Sequence, residues 1–421
     1  MSPFDNFSMR TIIRDDLVWY NIGNMLFPYS MWRTLLTPET EIDKFCRVNP
    51  DDADCFNESY DAFVIPLANA FRPSFMPQMQ RMTKLISRMK IPCVVTGVGL
   101  QLDVEPNFSV AQPFDETVKH FCSAVLEKSA MIGVRGEITA AYLKKLGFGE
   151  RHVTAIGCPS MYSRGPKLPF REPKPFSEDL RVALSTHATA PEKIHTILND
   201  GMTLFPNHHL IVQDLHELKL LYYGAPFSSR VKATVPEHYL SDATHPLYIN
   251  DRVRSFISVE RWVSFLEKKD FTFGCRIHGN VASILAGTPA LVFAPDSRIR
   301  ELSEYHNIPH LRINEITDDF NLAKTYESTD FAMVLRGHEQ RFQHFLSFLE
   351  ANGLNHIYKD NPAGIDCPYD QKMKQINLYP EVQTLFGVQP KYASKRINCY
   401  YSDLYRREEK LHEQLDGLKR K

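Results

Sequence analysis

The feature that most constrains this chain is a rhythm. Short, nearly continuous apolar runs alternate with stretches of helical periodicity, and one proline-rich segment interrupts the series. Ala62 to Pro66, Cys93 to Gly97, Met131 to Val134 and Val153 to Ile156 read as strands, and a further strand is expected at Leu17 to Tyr20. Amphipathic patterns from about Met25 to Leu36, Gln78 to Met89, Asp115 to Lys128 and Ile138 to Leu146 read as helices between them. Apolar strands separated by such helices require a parallel sheet covered on both faces.

From Arg164 to Pro175 the text is RGPKLPFREPKP, and four prolines in twelve residues can continue neither a helix nor a sheet. A second β-α series follows. Strands are expected at Leu180 to Ser185, His209 to Gln213, Phe271 to Phe273 and Ala290 to Phe293, with helices near Ala190 to Leu198, Val259 to Lys268 and Gly279 to Ala286. The expected organisation is therefore a first α/β domain over 1–163, a linker over 164–178, a second α/β domain over 179–330 and a helical extension over 331–421. That extension has helical text at Arg341 to Leu354 and Asp403 to Lys419, suited to packing back on the first domain or to pairing with another subunit. Two open α/β domains place a ligand cleft at the carboxyl ends of their strands.

Composition narrows the ligand. Forty-nine Lys and Arg against fifty Asp and Glu leave a net charge of -1, so no bulk field draws the chain to nucleic acid or to an anionic membrane. An anionic ligand must be held locally. No apolar run reaches the roughly 18 residues a membrane helix needs, and charged residues interrupt the first turns where an export signal would be apolar, so a cytoplasmic protein is expected. Eight cysteines lack CxxC or zinc spacing and read as reduced structural thiols, with no metal implied.

The strongest chemical motif is FTFGCRIHGNVASILAGTPALVF, from Phe271 to Phe293. A buried strand ends in a turn carrying Arg276, His278 and Gly279, and a helix of small residues begins there. Free N–H groups and the positive dipole end of that helix favour an anion, and Arg276 adds a planar donor fork. The same dipole lowers the His278 pKa while a bound dianion raises it, so a ligand would arm its own acid. The competing reading pairs Arg276 with a carboxylate of its own domain and makes His278 a packing residue.

Arg135, in MIGVRGEITAAYLKKL, holds the corresponding turn of the first domain and would complete an anion clamp from the opposite wall, unless it pairs with Glu137 or Asp15. Asn21, Gly23 and Asn24 form a tight turn ahead of the first helix, readable as a ligand approach or as a helix cap. Asn69 follows the Ala62 to Pro66 strand in a similar turn. His187, Asp214, His216, Asp296, Arg298 and Glu301 also follow strands of the second domain.

Together these segments resemble the polysaccharide pyruvyl transferase family. The likeness spans most of Asp16 to Ile316 and rests on Trp19 to Gly23, PCVVTGVGLQ, GVRGEITAAYLKKLG, GCPS and, above all, CRIHGNVASILAGTPALVF. It implies an α/β fold of two Rossmann-like doubly wound domains in a GT-B-like arrangement, and an enzyme that moves the pyruvyl group of phosphoenolpyruvate onto two hydroxyls of a sugar as a ketal. By the same likeness Arg276 and Arg135 hold the donor, His278 handles the proton, and no cofactor or metal is needed. The first loop departs from the family's Asn-x-Gly-Asp at Asn24, and Leu67, Ala68 and Asn69 replace its usual glycine pair. The expected acceptor is a glycan or lipid-linked oligosaccharide, compatible with peripheral membrane association and a homo-oligomer. The alternatives are a GT-B glycosyltransferase with Asp296 or Glu301 on a nucleotide ribose, and a non-catalytic glycan-binding protein.

Overall fold

A computed structural model describes residues 2–18, 21–45 and 49–419 and shows an α/β protein whose strand ladders are all parallel. The first half holds β1 (Phe63–Pro66), β2 (Cys93–Thr96), β3 (Ile132–Val134) and β4 (Val153–Ala155). β1 pairs with β2 and β3 with β4, and Val98, just beyond β2, bridges Val134 to join the pairs in chain order. The second half holds β5 (Val182–Ser185), β6 (His208–Ile211), β7 (Val253–Arg254), β8 (Phe271–Gly274), β9 (Ala290–Ala294) and β10 (His310–Arg312). Their order, β10-β9-β8-β5-β6-β7, reverses direction between β8 and β5. Crossover helices leave opposite faces of a sheet at such a reversal, which opens a crevice at the strand ends.

Local chemistry explains the elements. β8 and β9 are buried at every position, as strands covered on both faces must be. The Met76–Arg88 helix buries Met79, Met82, Leu85 and Ile86, one stripe at helical spacing, and each such side chain contributes about 1.5–3 kcal/mol. Every residue of the Ile277–Leu285 helix is buried, and its small residues let two layers close on it.

Residues 164–178 contain no helix or strand, and core packing follows chain position only loosely. Met9, Ile12, Ile13, Val18 and Ile22 share a core with Val182, Leu184, Phe271 and Phe273 of the second half. The N-terminal segment thus leans on the second sheet. Of the expected strand at Leu17 to Tyr20, Leu17 and Val18 lie in a turn, while Trp19 and Tyr20 fall outside the described residues. The short β7 and β10 and the Met9–Arg14 and Leu215–Tyr223 helices were not expected; β7 and β10 lack an apolar run long enough to signal a strand.

The extension returns to the first half. Its His338–Ala351 helix buries Phe342, Phe345, Phe348 and Leu349, and the Asn352 side-chain oxygen accepts from the Ala130 and Met131 amides at 3.0 and 3.3 Å, just ahead of β3. The Pro390–Lys419 helix docks on the N-terminal Met9–Arg14 helix through an Arg10–Asp403 ion pair and on the second half through Tyr400 against Tyr223. No described helix is long and apolar enough to cross a membrane.

Candidate active site

The carboxyl ends of both sheets meet in one cleft. Arg276 is the N-cap of the Ile277–Leu285 helix, and His278 stands in its first turn. Arg135 follows β3, Asn69 follows β1, and Asp296 and Arg298 follow β9. The walls are stitched together by Glu301, whose carboxylate accepts from the Thr139 amide at 2.8 Å and hydroxyl at 2.6 Å, and by the Leu102 amide donating to Ser297 Oγ at 3.0 Å. Glu301, the ribose ligand of the alternative reading, is thereby committed to holding the cleft together.

The two expected arginines differ sharply. Arg276 is ion-paired with Asp214, and its Nε donates to the Thr186 carbonyl at 3.3 Å. Burial works against its cation, but Asp214 and then Glu217 outweigh that cost and hold its pKa above the usual value. Its pairing with a carboxylate of its own domain is therefore observed. Asp214 in turn caps the Leu215–Tyr223 helix, and buried Glu217 accepts from the Gln213 and Asp214 amides at 3.0 and 2.9 Å and from the Tyr239 hydroxyl. Burial, with Asp214 beside it, pushes Glu217 up to about 7.

Arg135 is 1% exposed, yet its Nε and one Nη have no hydrogen-bond partner. Neither Glu137 nor Asp15 pairs with it among the described residues; Asp15 pairs with Arg14. Burial disfavours the cation, and Glu301, whose charge supports it, is itself pushed up to about 7 by burial. A guanidinium in this position stays charged and lacks an anion.

His278 is 8% exposed, and its Nε2 is likewise without a partner. Burial first, then Arg135, Arg298 and Arg276, push its pKa down to about 3, so the empty site holds a neutral imidazole. Half-buried His187 is lowered to about 3 by burial and by Arg276 and Arg298. An anion entering among these groups would reverse the sign of the field on His278.

The Asn21 loop reaches the cleft from the first half of the chain but docks on the second sheet. The Ile22 amide donates to the Gln213 carbonyl at 2.8 Å, Asn21 bridges Asp214, and the Asn21 side chain caps the Gly23 amide at 2.8 Å. The cap reading of Asn21 is observed, and it serves to hold Gly23 against the site. A Cβ at Gly23 would lie 2.5 Å from Gln213 Oε1 and 2.9 Å from His278 Cβ, so no side chain fits. Gly279 is similar, with Ser185 Oγ 2.8 Å from where its Cβ would be. Gly23→Ala is expected to destabilise the fold by about 1–3 kcal/mol and to impair turnover by displacing His278. A melting curve and assay matching the parent protein would refute that contact.

Asn24 is exposed and, with Asn69, Arg72 and His278, lines a cavity of about 1210 Å³. Phe27, Trp32 and Phe75 line it as well, as do Glu39, Glu41 and Asp43. Arg72 is a site residue that sequence reasoning missed; an arginine directly before the Pro73 helix start, one turn beyond a strand end, is the signal that was available. Gln101, whose side-chain amide lies beside the side chains of Asn69 and Arg72, carried no signal. His216 packs toward Phe227 instead of joining the cleft. No group of three His, Cys, Asp or Glu suited to a metal ion occurs among the described residues.

Among solved structures, the glycotransferase of kitacinnamycin aligns at 14% identity over 85% of this chain and 84% of its own, with a TM-score of 0.35. Sucrose-phosphate synthase from Thermosynechococcus elongatus aligns at 13% identity over 81% and 82%, with a TM-score of 0.36. Likenesses of that size carry no functional argument. No curated protein matches the chain. The model of a family described as polysaccharide pyruvyl transferase matches residues 21–297, a span that contains Asn21, Asn69, Arg135, Arg276 and His278 and exceeds half of the 421 residues. The chain belongs to the polysaccharide pyruvyl transferase family.

Proposed function

We propose that this transferase takes its pyruvyl group from phosphoenolpyruvate and builds a cyclic ketal on two hydroxyls of a glycan. The observation that carries this reading is the buried, unpartnered Arg135 guanidinium beside the unpartnered Nε2 of His278. Such a pair is poised for an anion that brings a proton acceptor. Arg135 and the helix N-terminus behind Arg276 hold the donor phosphate, with Arg276 anchored by Asp214. The donor's charge raises the His278 pKa, and the imidazolium protonates the enol methylene. The resulting oxocarbenium-like carbon accepts one sugar hydroxyl; the bond to phosphate then breaks, and a second hydroxyl closes the ring. The methyl group takes one proton from His278, and of the two hydroxyl protons one restores His278 and the other leaves with phosphate.

The acceptor enters through the 1210 Å³ cavity, where Asn24, Asn69 and His278 suit sugar hydroxyls. Its apolar lining residues, Phe27, Trp32 and Phe75 among them, suit a glycan carried on a lipid, as for a cytoplasmic enzyme that visits the membrane surface. The domain limits expected from the linker, and assembly into a homo-oligomer, belong to the same proposal. Thermal melting with phosphoenolpyruvate tests it. At 100 times its dissociation constant the donor should add about 2.7 kcal/mol, a shift of several degrees. A shift with a uridine diphosphate sugar and none with phosphoenolpyruvate would replace this reading with glycosyl transfer.

A further inference from the structure

Arg135 does not stand alone. Arg72 and Arg298 approach each other from opposite halves, Arg72 from the turn after β1 and Arg298 from the first turn of the Ser297–Tyr305 helix after β9. Asn69 lies between them. In the side-chain orientation that satisfies its neighbours, the Asn69 amide oxygen lies 3.1 Å from Arg298 Nη1 and 2.6 Å from Arg72 Nη1. One neutral, planar acceptor thus bridges two cations. The Nε atoms of both arginines are buried and without partners.

Counter-charge is scarce here. Arg72 makes no ion pair among the described residues, and Arg298 has Asp296 at 3.2 Å, whose other oxygen caps the Ile299 amide at 3.0 Å. Arg276 is matched by Asp214, whereas Arg135, Arg72 and Arg298 together exceed the fixed negative charge around them. Arg298 also acts on Arg135, on His278 and on Arg72, so the surplus forms one field. A single phosphate on Arg135 would leave the two cations of Arg72 and Arg298 facing the one carboxylate of Asp296. The Asn69 amide shows the shape these forks accept, a planar group with one oxygen within hydrogen-bond reach of both guanidinium groups.

We propose that Arg72, Asn69 and Arg298 form a carboxylate subsite, separate from the Arg135 phosphate position, that orients the donor's carboxylate and fixes which face of its methylene meets His278. This rests on phosphoenolpyruvate being the donor. Because Arg72 and Arg298 belong to different halves, carboxylate binding also clasps the two walls of the cleft. The same carboxylate chemistry could come from an acidic sugar of the acceptor, and the test separates the two sources.

Calorimetric titration of the full chain, as parent protein, Arg72→Gln and Arg298→Gln, would use phosphoenolpyruvate, inorganic phosphate and glucuronate. Losing a charge-assisted pair should weaken phosphoenolpyruvate binding roughly 10- to 100-fold in each variant while leaving inorganic phosphate unchanged. An equal loss toward phosphate, in variants whose melting transition is intact, overturns a separate carboxylate subsite. So does unchanged phosphoenolpyruvate affinity, and a selective loss of glucuronate binding assigns the arginines to the acceptor instead. Should either variant fold poorly, Arg72→Lys and Arg298→Lys retain the cation and lose the fork, and the same selective loss is expected. If the parent protein binds phosphoenolpyruvate no more tightly than phosphate, the donor assignment itself fails, and a result of that kind is distinct from every variant effect.

Discussion

Replacing Arg135 with methionine is expected to raise the melting temperature of the unliganded protein while removing its activity. The opposed signs follow from the site. A guanidinium that is 1% exposed with two unpartnered nitrogens costs free energy in the empty protein, and methionine keeps much of the stem's packing without the charge. Exchanging poorly compensated buried charge for apolar volume is commonly worth about 1–4 kcal/mol, and each kcal/mol shifts a domain of this size by about 2–4 °C. Activity should fall by about 10²- to 10³-fold, as when a preorganised donor to developing charge is lost. The shift produced by phosphoenolpyruvate in the parent protein should vanish in Arg135→Met. A variant that melts lower yet still responds to the donor would make Arg135 a structural residue.

The cost of that arginine explains which parts of the site could be read from the sequence. Buried strands and helix stripes follow from residue-by-residue hydrophobicity, so β1, β2, β3, β4, β5, β8 and β9 and the Met76–Arg88 and Ile277–Leu285 helices appear within a few residues of where periodicity puts them. Edge strands β7 and β10, with two and three residues, depend on pairing with neighbours far along the chain and leave no local pattern. Arg135, Arg276 and His278 were legible because each sits at a strand end within its own motif. Their partners were not. The Asp214–Arg276 pair spans 62 positions, and the Arg72–Asn69–Arg298 contact joins two sheets, so neither has a spacing to detect. Gly23 carried a weak signal as one glycine in a turn, and only the approach of His278 shows why a side chain is excluded there.

His278→Gln should separate binding from chemistry. Glutamine retains a polar group of similar reach and cannot deliver a proton, so turnover should drop about 10²- to 10⁴-fold with donor affinity largely kept. The pH behaviour identifies the cause. Burial and the surrounding arginines lower the folded pKa of His278 from 6.5 to about 3, so its neutral form is the native one. The native protein then binds fewer protons there than the unfolded chain, and this group's contribution to stability is intact above pH 6.5 and is lost as pH falls toward about 3. His278→Gln should therefore lose less stability than the parent across that interval. Donor binding raises the same pKa, which makes binding take up a proton and strengthens affinity as pH falls. Titrations at one pH in two buffers of different ionisation enthalpy should differ for the parent protein and agree more closely for His278→Gln. Identical heats in both buffers for the parent would mean that the imidazole stays neutral in the complex, and the acid would have to be sought elsewhere in the cleft.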